Sequence, residues 1–62
     1  MARIGEILLR HGIISSHQLD VALKRQKNMR PHMPLGEILI DMGLLTYDAL
    51  LKYLELQQKE NR

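Results

Sequence analysis

The chain has 62 residues, no cysteine, neither Phe nor Trp, and a formal charge of only +2. This excludes a multidomain protein, disulfide and thiolate-metal frameworks, and the aromatic platforms on which single-stranded nucleic acids stack. The weak charge excess suits a small anion but is no footprint for a nucleic-acid polymer. Leu and Ile dominate the apolar set, as in a helical core. A chain this short is marginally stable alone, so it must rely on an efficient core, a bound ligand or a partner. No apolar run approaches the roughly 20 residues of a membrane span. Met1-Ala2-Arg3-Ile4-Gly5-Glu6 lacks the charged-then-apolar order of a signal peptide. No membrane insertion and a cytoplasmic location are therefore expected.

The first predicted helix runs from about Ile4 to His11, with Ile4, Ile7 and Leu8 at helical spacing. Gly12 stops it, because glycine takes the left-handed position after a helix without a Cβ penalty. Ile13 and Ile14 cover the turn. Ser15 caps the second helix, with Gln18 completing a capping box. That helix carries Leu19, Ala22, Leu23 and Gln26 along one face. The stretch Asn28 to Pro34 holds Pro31 and Pro34 and is predicted to be non-helical, with Pro34 near the start of the third helix. Gly43 ends the third helix. Thr46 caps the fourth, with Asp48 near the positive end of its dipole. Leu50, Leu51, Leu54 and Tyr53 are predicted to mark its buried side, and the polar tail from Gln57 to Arg62 is predicted to fray.

These elements are two copies of one unit. Ile4-Gly5-Glu6-Ile7-Leu8 aligns without gaps on Leu35-Gly36-Glu37-Ile38-Leu39, Gly12 on Gly43, Ile14 on Leu45, Leu19 on Leu50, Leu23 on Leu54 and Gln26 on Gln57. A repeat unit this small cannot bury its apolar face alone. The expected fold is therefore all-α: two tandem helix-turn-helix repeats packed as one compact four-helix domain with pseudo-two-fold symmetry. Repeat one spans 3–26, a linker 27–33, repeat two 34–57 and a polar tail 58–62.

Catalytic chemistry finds no purchase. Ser15 and Ser16 are explained by a helix cap. His11, His17 and His32 share no metal-ligand spacing. The glycines stand singly, not in a phosphate-cradling run. No catalytic residue, metal or cofactor is expected, and the chain is read as a binding module. Its unusual features are a Gly in the first turn of each copy, where glycine is a poor helix former, and a Gln at each end. The glycines imply close approach to the backbone, either by another helix or by a ligand held at the helix start. A Gln amide carries both a donor and acceptors, which suits the edge of a nucleobase, although a late helical Gln is more often a solvated surface residue.

The pattern of Arg3, Ile4, Gly5, Leu8, Ile14, Leu19, Leu23 and Gln26, repeated as Leu35, Gly36, Leu39, Leu45, Leu50, Leu54 and Gln57, resembles the MshEN domain. That is the cyclic di-GMP-binding domain at the N-terminus of bacterial pilus-assembly and type II secretion ATPases. The motif reads Arg-Leu-Gly, two residues, Leu, five residues, Ile, four residues, Leu, three residues, Leu, two residues, Gln, and it occurs twice in tandem. The likeness covers nearly the whole chain. Ile4 replaces a Leu, Leu45 replaces an Ile, and Pro34 stands where the second copy of the motif begins with Arg.

The resemblance implies a signalling receptor that holds cyclic di-GMP across both repeats, largely by apolar contacts from the motif leucines. Arg3 would donate to guanine or phosphate oxygen, and Gln26 and Gln57 would meet the two guanine halves. Glu6 and Glu37 would accept from guanine N–H groups, or else simply favour the first turn of a helix. Arg30 or His32 would replace the charge lost at Pro34. A protein partner would read the output. Two other classes stand beside this one. Related N-terminal domains serve in protein–protein docking without nucleotide, and Pro34 favours that use. Helix-turn-helix DNA binding is disfavoured, because Asp20, Asp48 and Glu55 interrupt any basic stripe.

Overall fold

The computed structural model describes residues 3–28 and 32–61. Among them are four helices and no strand: α1 (Ile4–Arg10), α2 (Ser16–Asn28), α3 (Leu35–Asp41) and α4 (Tyr47–Glu60). The radius of gyration is 11.0 Å, against about 10.5 Å expected of a compact chain of this length. No helix is long and apolar enough to cross a membrane.

The predicted punctuation is realised bond by bond. At the end of α1, Gly12 takes φ +72°. Its N–H donates to the Leu9 carbonyl at 3.1 Å, and the Ile13 N–H donates to the Leu8 carbonyl at 2.9 Å. This pair of bonds is a Schellman turn. The end of α3 repeats it, with Gly43 at φ +76°, Gly43 N–H on Ile40 and Leu44 N–H on Leu39. Ser15 and Gln18 form a reciprocal capping box: the Gln18 N–H donates to Ser15 Oγ at 3.1 Å and the Ser15 N–H to Gln18 Oε1 at 2.9 Å. Thr46 Oγ1 accepts from the Ala49 N–H at 3.2 Å at the start of α4. Arg3 and Pro34 occupy equivalent cap positions before α1 and α3, without side-chain caps.

The core grows from the repeated tetrad. Ile7, Leu8, Ile38 and Leu39 are the largest fully buried side chains, and α1 packs on α3 through this region. Ile14 and Leu45 cover the two turns, Ala22 closes the core from α2, and Leu50 and Tyr53 close it from α4. Copies interlock rather than sit side by side: α4 lies on α1, and α2 on α3.

Three expectations are corrected here. Leu51 and Leu54 do not lie on the buried side of α4. They are 59% and 36% exposed, whereas Leu50 and Tyr53 are buried. Leu50 is drawn in by Gly36, which leaves room for it. Tyr53, three residues on and therefore on the same face, meets the His11 ring with centroids 5.3 Å apart. The tail also does not fray from Gln57. Helix α4 continues to Glu60, whose carboxylate takes both bonds from Arg10 Nη2, at 2.6 and 2.5 Å. A carboxylate is unfavourable at the negative end of a helix dipole, and the guanidinium from the end of α1 offsets it. Likewise Lys27 and Asn28, expected in the linker, complete α2. Arg30 and the break expected at Pro31 lie outside the described residues.

Candidate functional site

The site begins with the two glycines. A Cβ built on Gly5 would meet Leu19 Cδ1 at 3.0 Å and Leu35 Cδ2 at 3.2 Å. A Cβ on Gly36 would meet Leu50 Cδ1 at 2.6 Å and Cδ2 at 3.1 Å. In each copy the glycine therefore makes room for the leucine on that copy's second helix. The close approach is a leucine side chain packed flat on the first turn of α1 or α3.

Alanine at either position gains helix propensity, about 1 kcal/mol, and pays in overpacking, about 1–3 kcal/mol where neighbours cannot move. Leu19 is only half-buried and its methyl ends can shift, but Leu50 is buried. Gly36→Ala is therefore expected to be less stable than Gly5→Ala by about 1 kcal/mol. Thermal melts of the two variants, run side by side, check this, and equal midpoints would contradict it.

Beside Gly5 the packing leaves a cavity of about 390 Å³ lined by Arg3, Ile4, Gly5, Glu6, Leu19, Leu23, Gln26, Leu35 and Gln57. The start of α1, the outer face of α2, the start of α3 and the far end of α4 all contribute. Ile4, Leu19, Leu23 and Leu35 give apolar walls, while Arg3, Glu6 and the two amides add polar groups. Gln26 is part-buried, and its Nε2 donates to the Met33 carbonyl at 2.9 Å. The end of copy one thereby fastens the segment that leads into copy two.

The remaining motif residues lie elsewhere. Leu8, Ile14, Leu39, Leu45 and Leu50 are buried in the core. Gly36 sits under Leu50. Pro34, Glu37 and Leu54 are exposed and do not line the cavity, and neither does His32. The site is therefore unequal between copies. Copy one supplies most of the wall, and copy two supplies Leu35 and Gln57. The part played by Met33 was not legible beforehand, because a backbone carbonyl leaves no mark in sequence.

Other chemistries gain nothing from the geometry. Among the described residues no three His, Asp or Glu side chains gather as metal ligands do. Ser15 is engaged in its cap. Lys24, a cation that a DNA-binding helix would need, is paired with Asp20 at 3.2 Å. A second cavity of about 240 Å³, lined by Ile13, Gly43, Leu44, Leu45, Thr46 and Ala49, has almost no polar side chain with which to select a ligand. No family model, no curated protein and no solved structure matches the chain.

Proposed function

We propose that this chain is a cyclic di-GMP receptor module, that it binds its ligand without transforming it, and that the cavity beside Gly5 is the ligand site. One observation carries the reading. Arg3, Ile4, Gly5, Leu19, Leu23 and Gln26, singled out by a spaced motif, converge on one cavity with Leu35 and Gln57 of the second copy. A volume of about 390 Å³ falls within the roughly 300–1,000 Å³ range of small-molecule sites. The chemistry of the walls suits a nucleotide: leucine faces for guanine rings, one guanidinium for an oxygen, and amides for base edges. In this reading the two copies are related by a pseudo-two-fold axis, and copy one makes most of the contacts to the ligand. The module works in a bacterial cytoplasm, and a protein partner reads the bound state.

Calorimetric titration with cyclic di-GMP tests the proposal, with cyclic di-AMP and GMP as controls. Saturable binding of cyclic di-GMP alone is expected. Arg3→Ala should weaken it by at least about tenfold, since a hydrogen bond from a charged donor contributes about 1.5–3 kcal/mol. Arg3 is exposed, so its loss should leave the melting point of the free protein in place. At about 100 times the dissociation constant the ligand should add roughly 2.7 kcal/mol of stability.

A second reading has its own support. Pro34 stands where the motif has Arg, and one of the two Gln26 Nε2–H donors is already engaged by the Met33 carbonyl. Absence of both heat and thermal shift would favour a docking module of a secretion or pilus system that keeps the fold without the nucleotide.

A further inference from the structure

Pro34 is exposed, lies outside the cavity beside Gly5 and makes no side-chain cap for α3. The carbonyls on either side of its ring are both engaged. The Met33 carbonyl, which forms the bond to Pro34, accepts from Gln26 Nε2 at 2.9 Å. The Pro34 carbonyl accepts from the N–H groups of Glu37 and Ile38 at 3.1 and 3.2 Å, and α3 starts there. One proline therefore ties Gln26, on the cavity wall from copy one, to Leu35, on the wall from copy two.

A proline also restricts the residue before it. Its Cδ disfavours helical backbone there and leaves the extended region. Met33 is held in this way, and the direction of its carbonyl is held with it. The group that this carbonyl engages is an amide with two flips, which exchange its oxygen and its nitrogen. Only one flip can meet the Met33 carbonyl, because the other sets oxygen against oxygen.

A glutamine that is free to flip reads purines ambiguously. Guanine offers a carbonyl oxygen beside a ring N–H, and adenine offers an amino group beside a bare ring nitrogen. Donor and acceptor are thus in reverse order on the two bases. An amide that flips freely matches both, whereas an amide held in one flip matches one of them. We propose that Pro34 is a positioning residue: through the Met33 carbonyl it locks the Gln26 amide in one flip, and the locked amide makes the cavity select guanine over adenine. The selection rests on the receptor reading above, which supplies the base. The lock does not, since it is present in the ligand-free chain. Such a lock is set before the ligand arrives, so the complex need not spend binding energy on ordering the amide.

Two measurements test this, one without ligand and one with it. In NMR spectra of the free chain, one Gln26 side-chain amide proton should exchange with solvent more slowly than those of the exposed Gln58. In Pro34→Ala that protection should be lost. Calorimetric titration then compares cyclic di-GMP with cyclic di-AMP, the weaker binding being read by displacement. Pro34→Ala should narrow the affinity ratio between the two by about three- to tenfold, the range that one hydrogen bond supplies. In a Gln26→Ala background, adding Pro34→Ala should leave the ratio unchanged, because the lock has nothing left to hold. A proline that merely supports the fold would act in both backgrounds. Protection that persists in Pro34→Ala would overturn the lock. An unchanged ratio after protection is lost, or a ratio that shifts equally with and without Gln26, would overturn its part in selection. A parent chain that binds neither nucleotide would overturn the receptor reading and the selection with it, while the ligand-free spectra would still decide the lock.

Discussion

Leu39→Ala is expected to lower the melting point by at least about 10 °C and to leave the chain close to the edge of folding. Leu39 is 0% exposed at the centre of the core, beside Ile7, Leu8 and Ile38. Removing a buried leucine side chain costs about 2–5 kcal/mol, through lost transfer energy and the cavity left behind. A domain of this size has roughly 3–9 kcal/mol in all, and each kilocalorie moves its midpoint by about 4–8 °C. The chain has no cysteine, and no metal cluster gathers among the described residues, so most of the stability rests on this core. Leu8→Ala should behave alike, because Leu8 occupies the equivalent place in copy one. Leu51→Ala, on the exposed face of α4, should stay within about 0.5 kcal/mol of the parent. Thermal melts followed by circular dichroism compare the three directly, and a Leu39→Ala variant melting with the parent would refute this core. Any nucleotide binding lost in Leu8→Ala or Leu39→Ala must be credited first to the fold.

Leu23→Asp is expected to do the reverse, abolishing nucleotide binding while sparing the fold. Leu23 is 45% exposed and lines the cavity with Leu19 and Leu35. Its replacement in the free protein costs little beyond the lower helix propensity of Asp, at most about 0.7 kcal/mol. In the complex it removes an apolar wall, for which full burial of a leucine is worth about 1.5–3 kcal/mol. It also sets a carboxylate against a base face, which must then be desolvated or left wet. Together these should reduce affinity for cyclic di-GMP by about a hundredfold or more, at 1.4 kcal/mol per tenfold. Titration of Leu23→Asp checks this once its melting curve has shown an intact fold. Unchanged affinity would remove the ligand from this wall altogether.

Much of the architecture could be read from the chain because the signals were local. Gly12 and Gly43 end helices since only glycine accepts their positive φ cheaply. The caps at Ser15 and Thr46 form within a few residues of themselves. The repeat made the Gly-Glu-Ile-Leu tetrads stand out, and their Ile-Leu pairs proved to be the centre of the core. What could not be read was orientation. In α4, leucines at 50, 51 and 54 spread over about 100° of the helix and Leu56 lies on the far side, so periodicity names no unique buried face. Gly36 and His11, distant in sequence, decide it. The same holds for the cavity. The motif supplied its candidates, but which of them reach the opening depends on how α2 lies on α3. Five of the motif's apolar residues went to the core instead. The last turn of α4 carries an ion pair with Arg10, 50 residues away, and no local pattern announces that bond.

The two Schellman turns bear on the timing of motion in this molecule. Connecting segments ordinarily open on their own, faster and more cheaply than the helices they join. Here the amide protons of Ile13 and Leu44 are held by the carbonyls of Leu8 and Leu39, whose side chains are 0% exposed. Opening either turn must break a bond anchored on the backbone of a central core residue, which works against its use as an independent hinge. Their amides should exchange with solvent about as slowly as those of the core, and the short connections become clocks for the unfolding of the whole domain.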